Sequence, residues 1–247
     1  MPIRRNTLIA NGFLRSAERS FDRKFDGVGL LNASVSTLEE LHTIPKAIIY
    51  GTHSSWWDVM IAAFLARRTG LELFAPMDAE QLKKYWVLKY AGMFAASPEK
   101  ALSFVRSVKE VFDRPGRSAL FITPQAQFAC NREEQPEFRR GLSTAIAAAP
   151  SVPVFAVTAQ YEFWSESRPV ALLGIRRVST DVEPLNDHLK MALNAQTKLV
   201  LSVASRRDER EWQWLQRSAP RTTAVQDATN VVRSLATGEK FHAGHAR

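Results

Sequence analysis

The residues best suited to chemistry are a histidine and an aspartate that stand five positions apart. Residues 48–58 read IIYGTHSSWWD, so His53 follows a short apolar run and Asp58 opens an apolar helical pattern. This predicts His53 on the loop that leaves a buried strand and Asp58 in the first turn of a helix. A carboxylate that fixes one imidazole nitrogen as N–H leaves the other nitrogen free to take a proton from an alcohol or a thiol.

The same two residues have a purely structural interpretation. An aspartate at the start of a helix satisfies backbone N–H groups and the helix dipole, so Asp58 could serve only as a cap. His53 would then be an ordinary loop histidine. The spacing of the pair does not decide between the two interpretations.

Composition limits the class of protein. The chain has 247 residues, 45% of them hydrophobic, which is enough for one large domain. Its single cysteine, Cys130, excludes an intramolecular disulfide and a cysteine metal cluster, which indicates the cytoplasm. No apolar run reaches the roughly 18–20 residues that cross a bilayer, and the first residues lack the apolar stretch of a secretory signal. We expect a soluble or peripheral protein without a metal.

The net charge of +8 favours anionic partners. The basic residues form short scattered clusters without a recognisable nucleic-acid-binding motif, so we expect no nucleic-acid partner. Basic residues also lie between the apolar positions of residues 6–25, where Ile9, Phe13, Ala17, Phe21 and Phe25 recur at steps of four. This pattern predicts a basic amphipathic helix, which either lies on an anionic membrane or packs on the core of the protein.

Strand-like and helix-like segments alternate along the rest of the chain. The pattern predicts an α/β fold, with a mixed, largely parallel sheet and helices on both faces. We assign residues 1–27 to the amphipathic helix, 28–237 to one α/β domain and 238–247 to a flexible tail. The predicted strands are 28–33, 47–51, 71–76, 118–123, 152–161 and 169–175. The predicted helices after the first are 56–68, 79–90, 98–112, 138–149, 185–201, 209–216 and 223–235.

The order of five sequence blocks resembles the glycerolipid acyltransferase family, which includes the lysophosphatidate and glycerol-3-phosphate acyltransferases. The likeness covers roughly residues 45–162. It begins with the histidine and aspartate after an early strand and ends with a valine-proline-valine strand. The five blocks are His53–Asp58, Gly92–Phe94, Phe121–Gln127, Phe138–Gly141 and Val152–Val157.

The resemblance implies an activity and a role for each block. His53 would be the general base that deprotonates an acceptor hydroxyl as it attacks the thioester of acyl-CoA or acyl-carrier protein, and Asp58 would orient the imidazole. No covalent enzyme intermediate, metal or cofactor is implied. The acceptor would be a lipid, and the protein would be peripheral, on the cytoplasmic face of an anionic membrane. The implied substrate-binding residues are Gly92, Pro124, Gln125, Gln127, Arg139 and Arg140.

The chain departs from the family in two blocks. Residues 92–97 read GMFAAS and lack the arginine that contacts the acceptor phosphate in the family. In the third block Gln125 replaces a glutamate, Ala126 a glycine and Gln127 a threonine. The loss of a carboxylate and a guanidinium weakens recognition of a glycerol-phosphate headgroup. A glycolipid, an ornithine lipid or a carotenoid glycoside fits better as the acceptor.

Two other functions are alternatives. A non-catalytic lipid-binding relative would explain the altered third block, and an acyl-thioester hydrolase would use water at the same base. Aromatic Trp56 and Trp57 would either line an acyl groove or pack in the core. Nothing in the sequence activates Cys130 as a nucleophile, and no nucleophile-elbow glycines surround Ser54 and Ser55.

Overall fold

Eight strands join in one mixed sheet, as the alternating pattern predicts. The computed structural model describes residues 3–164 and 167–218. The strand order is β4-β3-β5-β2-β6-β7-β1-β8, and the first five of these strands are parallel to one another. The strands are β1 Gly27–Leu31, β2 Lys46–Gly51, β3 Glu72–Asp78, β4 Met93–Ala96, β5 Ser118–Ile122, β6 Val154–Glu162, β7 Val170–Val178 and β8 Trp212–Arg217.

Helices cover both faces of the sheet, because the central strands are apolar on both sides. On β2, Ile49 belongs to a core cluster with α1 and α3, whereas Ile48 belongs to a cluster with α5, α6 and α7. No helix in the described part of the chain is long and apolar enough to cross a membrane. The helices are α1 Thr7–Lys24, α2 Val35–Thr43, α3 Trp57–Thr69, α4 Ala79–Lys84, α5 Ala101–Asp113, α6 Gly141–Ala148 and α7 Leu185–Ala204.

Most apolar residues of α1 pack within the fold, and Leu8 is an exposed exception. Ala10, Leu14, Ala17 and Phe21 are buried, and the ring of Phe21 contacts aromatic rings of α3. The basic residues of the same helix remain exposed. Of the two interpretations of the N-terminal amphipathic pattern, packing on the core accounts for its apolar positions.

One predicted helix is wrong and two elements were missed. Residues 209–216 contain a strand, β8, which pairs antiparallel with β1. Its tryptophans cover two glycines of β1: a Cβ on Gly27 would lie 2.9 Å from the Trp214 ring. Helix α2 and strand β4 were not predicted at all. The predicted helix 223–235 and the tail 238–247 lie outside the described residues.

The packing of α1 can be measured. Phe21→Ala removes a fully buried ring and should lower the free energy of unfolding by about 3–5 kcal/mol. Leu8→Ala is the matched control on the same helix, because Leu8 is exposed, and its effect should stay within about 0.5 kcal/mol. Urea unfolding measures both, and equal midpoints for the two variants would contradict this packing.

Candidate active site

The candidate site lies at the carboxyl ends of the parallel strands, which we call the carboxyl edge. Gly51 at the end of β2 is level with Val157 of β6, and Tyr50 is level with Ile122 at the end of β5. The loops that follow β2 and β5 therefore leave the sheet side by side. Ligands of α/β sheets bind at such an edge.

The structure brings His53 and Asp58 together. Nδ1 of His53 lies 3.6 Å from Oδ2 of Asp58, which is longer than a hydrogen bond, and Nδ1 is buried with no hydrogen-bond partner among the described residues. A carboxylate facing Nδ1 favours a proton there and leaves Nε2 as the basic nitrogen. The His53 side chain is 19% exposed, so a small molecule can reach the ring.

Asp58 is held in place by two short hydrogen bonds. Oδ2 accepts from the backbone N–H of Ser55 at 2.7 Å, and Oδ1 accepts from the hydroxyl of Tyr161 at 2.7 Å. The Oγ of Ser55 in turn accepts from Trp57 N–H at 3.2 Å, a reciprocal pattern like that of a capping box. Asp58 therefore stabilises the start of α3 and also faces His53, so a capping role does not exclude an orienting one.

Tyr161 is a site residue that the sequence reasoning missed. Strand β6 has nine residues and extends five residues past the level of Gly51, and the fourth of these is Tyr161, which reaches Asp58. Desolvation, followed by the nearby Asp58 charge, raises the pKa of Tyr161 well above its usual value. The phenol therefore stays a hydrogen-bond donor at neutral pH. The only sequence signal was a polar aromatic residue ending a predicted strand.

Aromatic rings surround the pair on two sides. The ring of Phe128 lies 4.4 Å from that of His53, and Phe128 is exposed. Trp57 packs inward against Phe25, which also contacts Tyr161, whereas Trp56 is exposed. Of the two roles predicted for the tryptophans, Trp57 takes core packing, whereas a role of Trp56 in an acyl groove stays a prediction.

The loop after β5 lies against the histidine loop. Ala129 N–H donates to the carbonyl of His53 at 2.8 Å. The side chain of Gln125 is buried and donates to Oε1 of Gln135 at 2.9 Å, while its own Oε1 has no partner in the described part of the chain. Pro124 is buried and Gln127 is exposed. Of these predicted contacts, Gln127 is available at the surface, whereas Gln125 joins the two ends of the loop.

Arg139 and Arg140 lie at the start of α6 with exposed side chains. Backbone N–H of Arg139 donates to the carbonyl of Pro124 at 2.9 Å, which fixes this residue beside the end of β5. The carbonyl of Arg140 accepts from Ser143 and Thr144 in the first turn of the helix. The backbone thus places two cationic side chains at the carboxyl edge.

Gly92 has a structural explanation. It precedes β4, the edge strand that β3 and β5 separate from β2. Its φ is +110°, and a Cβ there would lie 2.3 Å from the carbonyl oxygen of Leu73. Only glycine fits this close approach. The structure does not place Gly92 beside His53.

The comparisons with known proteins leave the family open. No protein-family model matches the chain, and no curated protein matches it. Within residues 3–164 and 167–218, no group of three histidine, cysteine, aspartate or glutamate side chains is arranged to hold a metal ion. The fold and the site define an α/β protein with a buried aspartate oriented toward a partly exposed histidine.

In the variant Tyr161→Phe, the free energy of unfolding should fall less steeply with pH above about pH 10 than in the wild type. Because the pKa of Tyr161 is raised by folding, the folded protein keeps the phenolic proton above about pH 10, where the unfolded chain loses it. This contribution is complete below about pH 10 and is lost as the pH rises further. Removal of the phenol should reduce the slope of the free energy of unfolding against pH by up to about 1.4 kcal/mol per pH unit, measured by urea unfolding. Tyr85→Phe, at an exposed ring, is the control; equal slopes for wild type and Tyr161→Phe would refute the assignment.

Proposed function

We propose that the protein is an O-acyltransferase of the glycerolipid acyltransferase type. It would move a fatty acyl group from acyl-CoA or acyl-carrier protein to a hydroxyl of a lipid acceptor. The observation that carries the proposal is the His53–Asp58 pair, in which the carboxylate is fixed by Ser55 and Tyr161 and faces Nδ1. A histidine placed only by chance in a loop would not need a buried carboxylate oriented toward it.

The proposed reaction needs only this chain and its two substrates. Nε2 of His53 takes the proton of the acceptor hydroxyl, and the oxygen forms a bond to the thioester carbonyl carbon. The carbon–sulfur bond then breaks, and the departing thiolate takes the proton from the imidazolium. Asp58 stabilises the imidazolium between these steps, and a positioned base of this kind contributes about 10²- to 10⁴-fold to the rate.

Groups around the pair suit the two substrates. Exposed Trp56 and Phe128 offer apolar surface for an acyl chain beside His53. The guanidinium groups of Arg139 and Arg140 suit phosphate groups of the donor or of the acceptor. With such substrates, the protein would work at the cytoplasmic face of an anionic membrane.

The acceptor is proposed to be a hydroxylated lipid other than lysophosphatidate. Residues 92–97 contain no arginine, and the amide of Gln125 is bonded to Gln135 instead of facing the surface. A strongly charged phosphate monoester would therefore find fewer cationic partners here than in the family. A glycolipid, an ornithine lipid or a carotenoid glycoside fits these residues.

The first test is acyl transfer itself. Purified protein is incubated with a total lipid extract and a donor, either long-chain acyl-CoA or acylated carrier protein. The products are identified by mass spectrometry. His53→Gln should lower the transfer rate about 10²- to 10⁴-fold, whereas His42→Gln, at an exposed histidine of α2, should leave it unchanged. Equal rates for the two variants would contradict the role of His53, and wild-type protein inactive with both donors would favour the non-catalytic lipid-binding alternative.

The partly exposed His53 ring also favours one second candidate, an acyl-thioester hydrolase. Water would then take the place of the acceptor at the same base. The two enzymes differ in product, because hydrolysis releases free fatty acid and transfer gives an acylated lipid. If free fatty acid is the dominant product while acceptor lipids are present, the proposed function becomes thioester hydrolysis instead of acyl transfer.

Asp58→Asn tests the orienting role separately from the base. An amide keeps the size of the side chain and one acceptor for Ser55 N–H, but it no longer stabilises the imidazolium. We expect a loss of about 10²-fold or more in the rate constant of transfer, with a folded protein by circular dichroism. A variant with wild-type turnover would show that Asp58 serves only as a cap of α3.

A further inference from the structure

An exposed aromatic and basic segment includes the end of α4 and the residues that follow it toward β4. Residues 83–90 read KKYWVLKY, and we call them the aromatic–basic segment. Tyr85, Trp86 and Val87 are 49%, 59% and 45% exposed. Three large apolar neighbours displayed together are unusual for a surface that contacts only water.

The segment is anchored, so these side chains are displayed by a fixed backbone. Leu82 before it and Ala91 after it are buried, and Leu88 packs against the core cluster. The carbonyl of Tyr90 accepts from Asn6 N–H at 2.9 Å, which joins the segment to the start of α1. Leu8, 79% exposed, lies two residues further along that helix. The core thus holds one side of the segment and leaves the apolar side chains outside.

Positive charge accompanies the exposed rings. Lys83, Lys84 and Lys89 belong to the segment, and only Lys83 forms a salt bridge within the described residues, with Glu80 at 2.6 Å. The ammonium of Lys84 lies 5.4 Å from the centre of the Tyr85 ring. Tryptophan and tyrosine next to lysine are the residues that bind the headgroup layer of a membrane, where rings enter the interface and ammonium groups meet anionic lipids.

Along the chain, the segment begins in the helix that follows β3. Helix α4 starts at Ala79, directly after β3 reaches the carboxyl edge, and it has six residues. At 1.5 Å per residue, Lys83, the first residue of the segment, lies about 6 Å along the helix from Ala79.

We propose that residues 83–90, with Leu8 beside them, dock the protein on an anionic bilayer. The apolar face of α1 is buried and cannot insert into a membrane. Membrane contact, which the sequence pattern suggested for α1, is therefore assigned to the aromatic–basic segment. The choice of a lipid surface over a protein partner rests on the proposed function, because a lipid acceptor resides in a membrane. The positive charge of the segment complements the negative headgroup of phosphatidylglycerol.

The test is binding to vesicles with no acyl donor present. Wild-type protein should sediment with vesicles of phosphatidylglycerol and phosphatidylcholine and much less with phosphatidylcholine alone. The double variant W86S/V87S should bind the anionic vesicles at least about tenfold more weakly. The matched control is M191S/L199S, which changes two exposed apolar residues of α7 on the opposite face of the sheet, and it should bind like wild type.

A charge variant tests the segment without altering its apolar side chains. K84Q/K89Q should weaken binding to anionic vesicles by roughly fivefold for each lysine, with the difference lost in high salt. K109Q/K198Q, at exposed lysines of α5 and α7, carries the same change in net charge. Equal effects of the two double variants would overturn the proposal, because net charge and not this segment would then determine binding.

Two further results would overturn the inference. One is wild-type protein that does not bind anionic vesicles. The other is wild-type protein that elutes as a dimer while W86S/V87S elutes as a monomer, which would assign the segment to a second copy of the chain. The two proposals can fail separately. His53→Gln should bind vesicles like wild type, so a lack of acyl transfer does not contradict membrane docking. A lack of vesicle binding, in turn, does not contradict the proposed acyl-transfer chemistry.

Discussion

Burial of the Asp58 carboxylate is the constraint on which the site depends. Its side chain is only 2% exposed, and a buried carboxylate without partners would cost several kcal/mol. Its donors come from the histidine loop, through Ser55, and from β6, through Tyr161. The pairing of β2 with β6 and the extra length of β6 are therefore conditions for a stable carboxylate beside His53.

The N-terminal helix supports this arrangement from behind. Phe21 and Phe25 form an aromatic cluster with Trp57, and Phe25 also touches Tyr161. Displacement of the end of α1 would remove the packing that orients both the first turn of α3 and the phenol that holds Asp58. The buried apolar residues of α1 thus act through the core, whereas Leu8 at its start is exposed, as are Tyr85, Trp86 and Val87 of the aromatic–basic segment.

The loop after β5 is closed by buried amide side chains. Gln125 and Asn131 turn inward, where they bond Gln135 and the carbonyl of Ala159. Amide side chains can be buried at lower cost than carboxylates because they carry no charge. The loop is closed by its own side chains, and the exposed groups beside it, Phe128 and Arg139, remain for ligands.

Sequence by itself determined the α/β class, most of the elements and the pairing of His53 with Asp58, because periodicity and turn chemistry are local properties of the chain. It did not determine β8, since residues 209–216 become a strand only when Trp212 and Trp214 meet the glycines of β1. Nor did it identify Tyr161 as a partner of Asp58, or show that the apolar face of α1 is buried while Trp86 is exposed. These contacts join residues far apart in sequence, and only the strand order and packing of the tertiary structure decide which of them form.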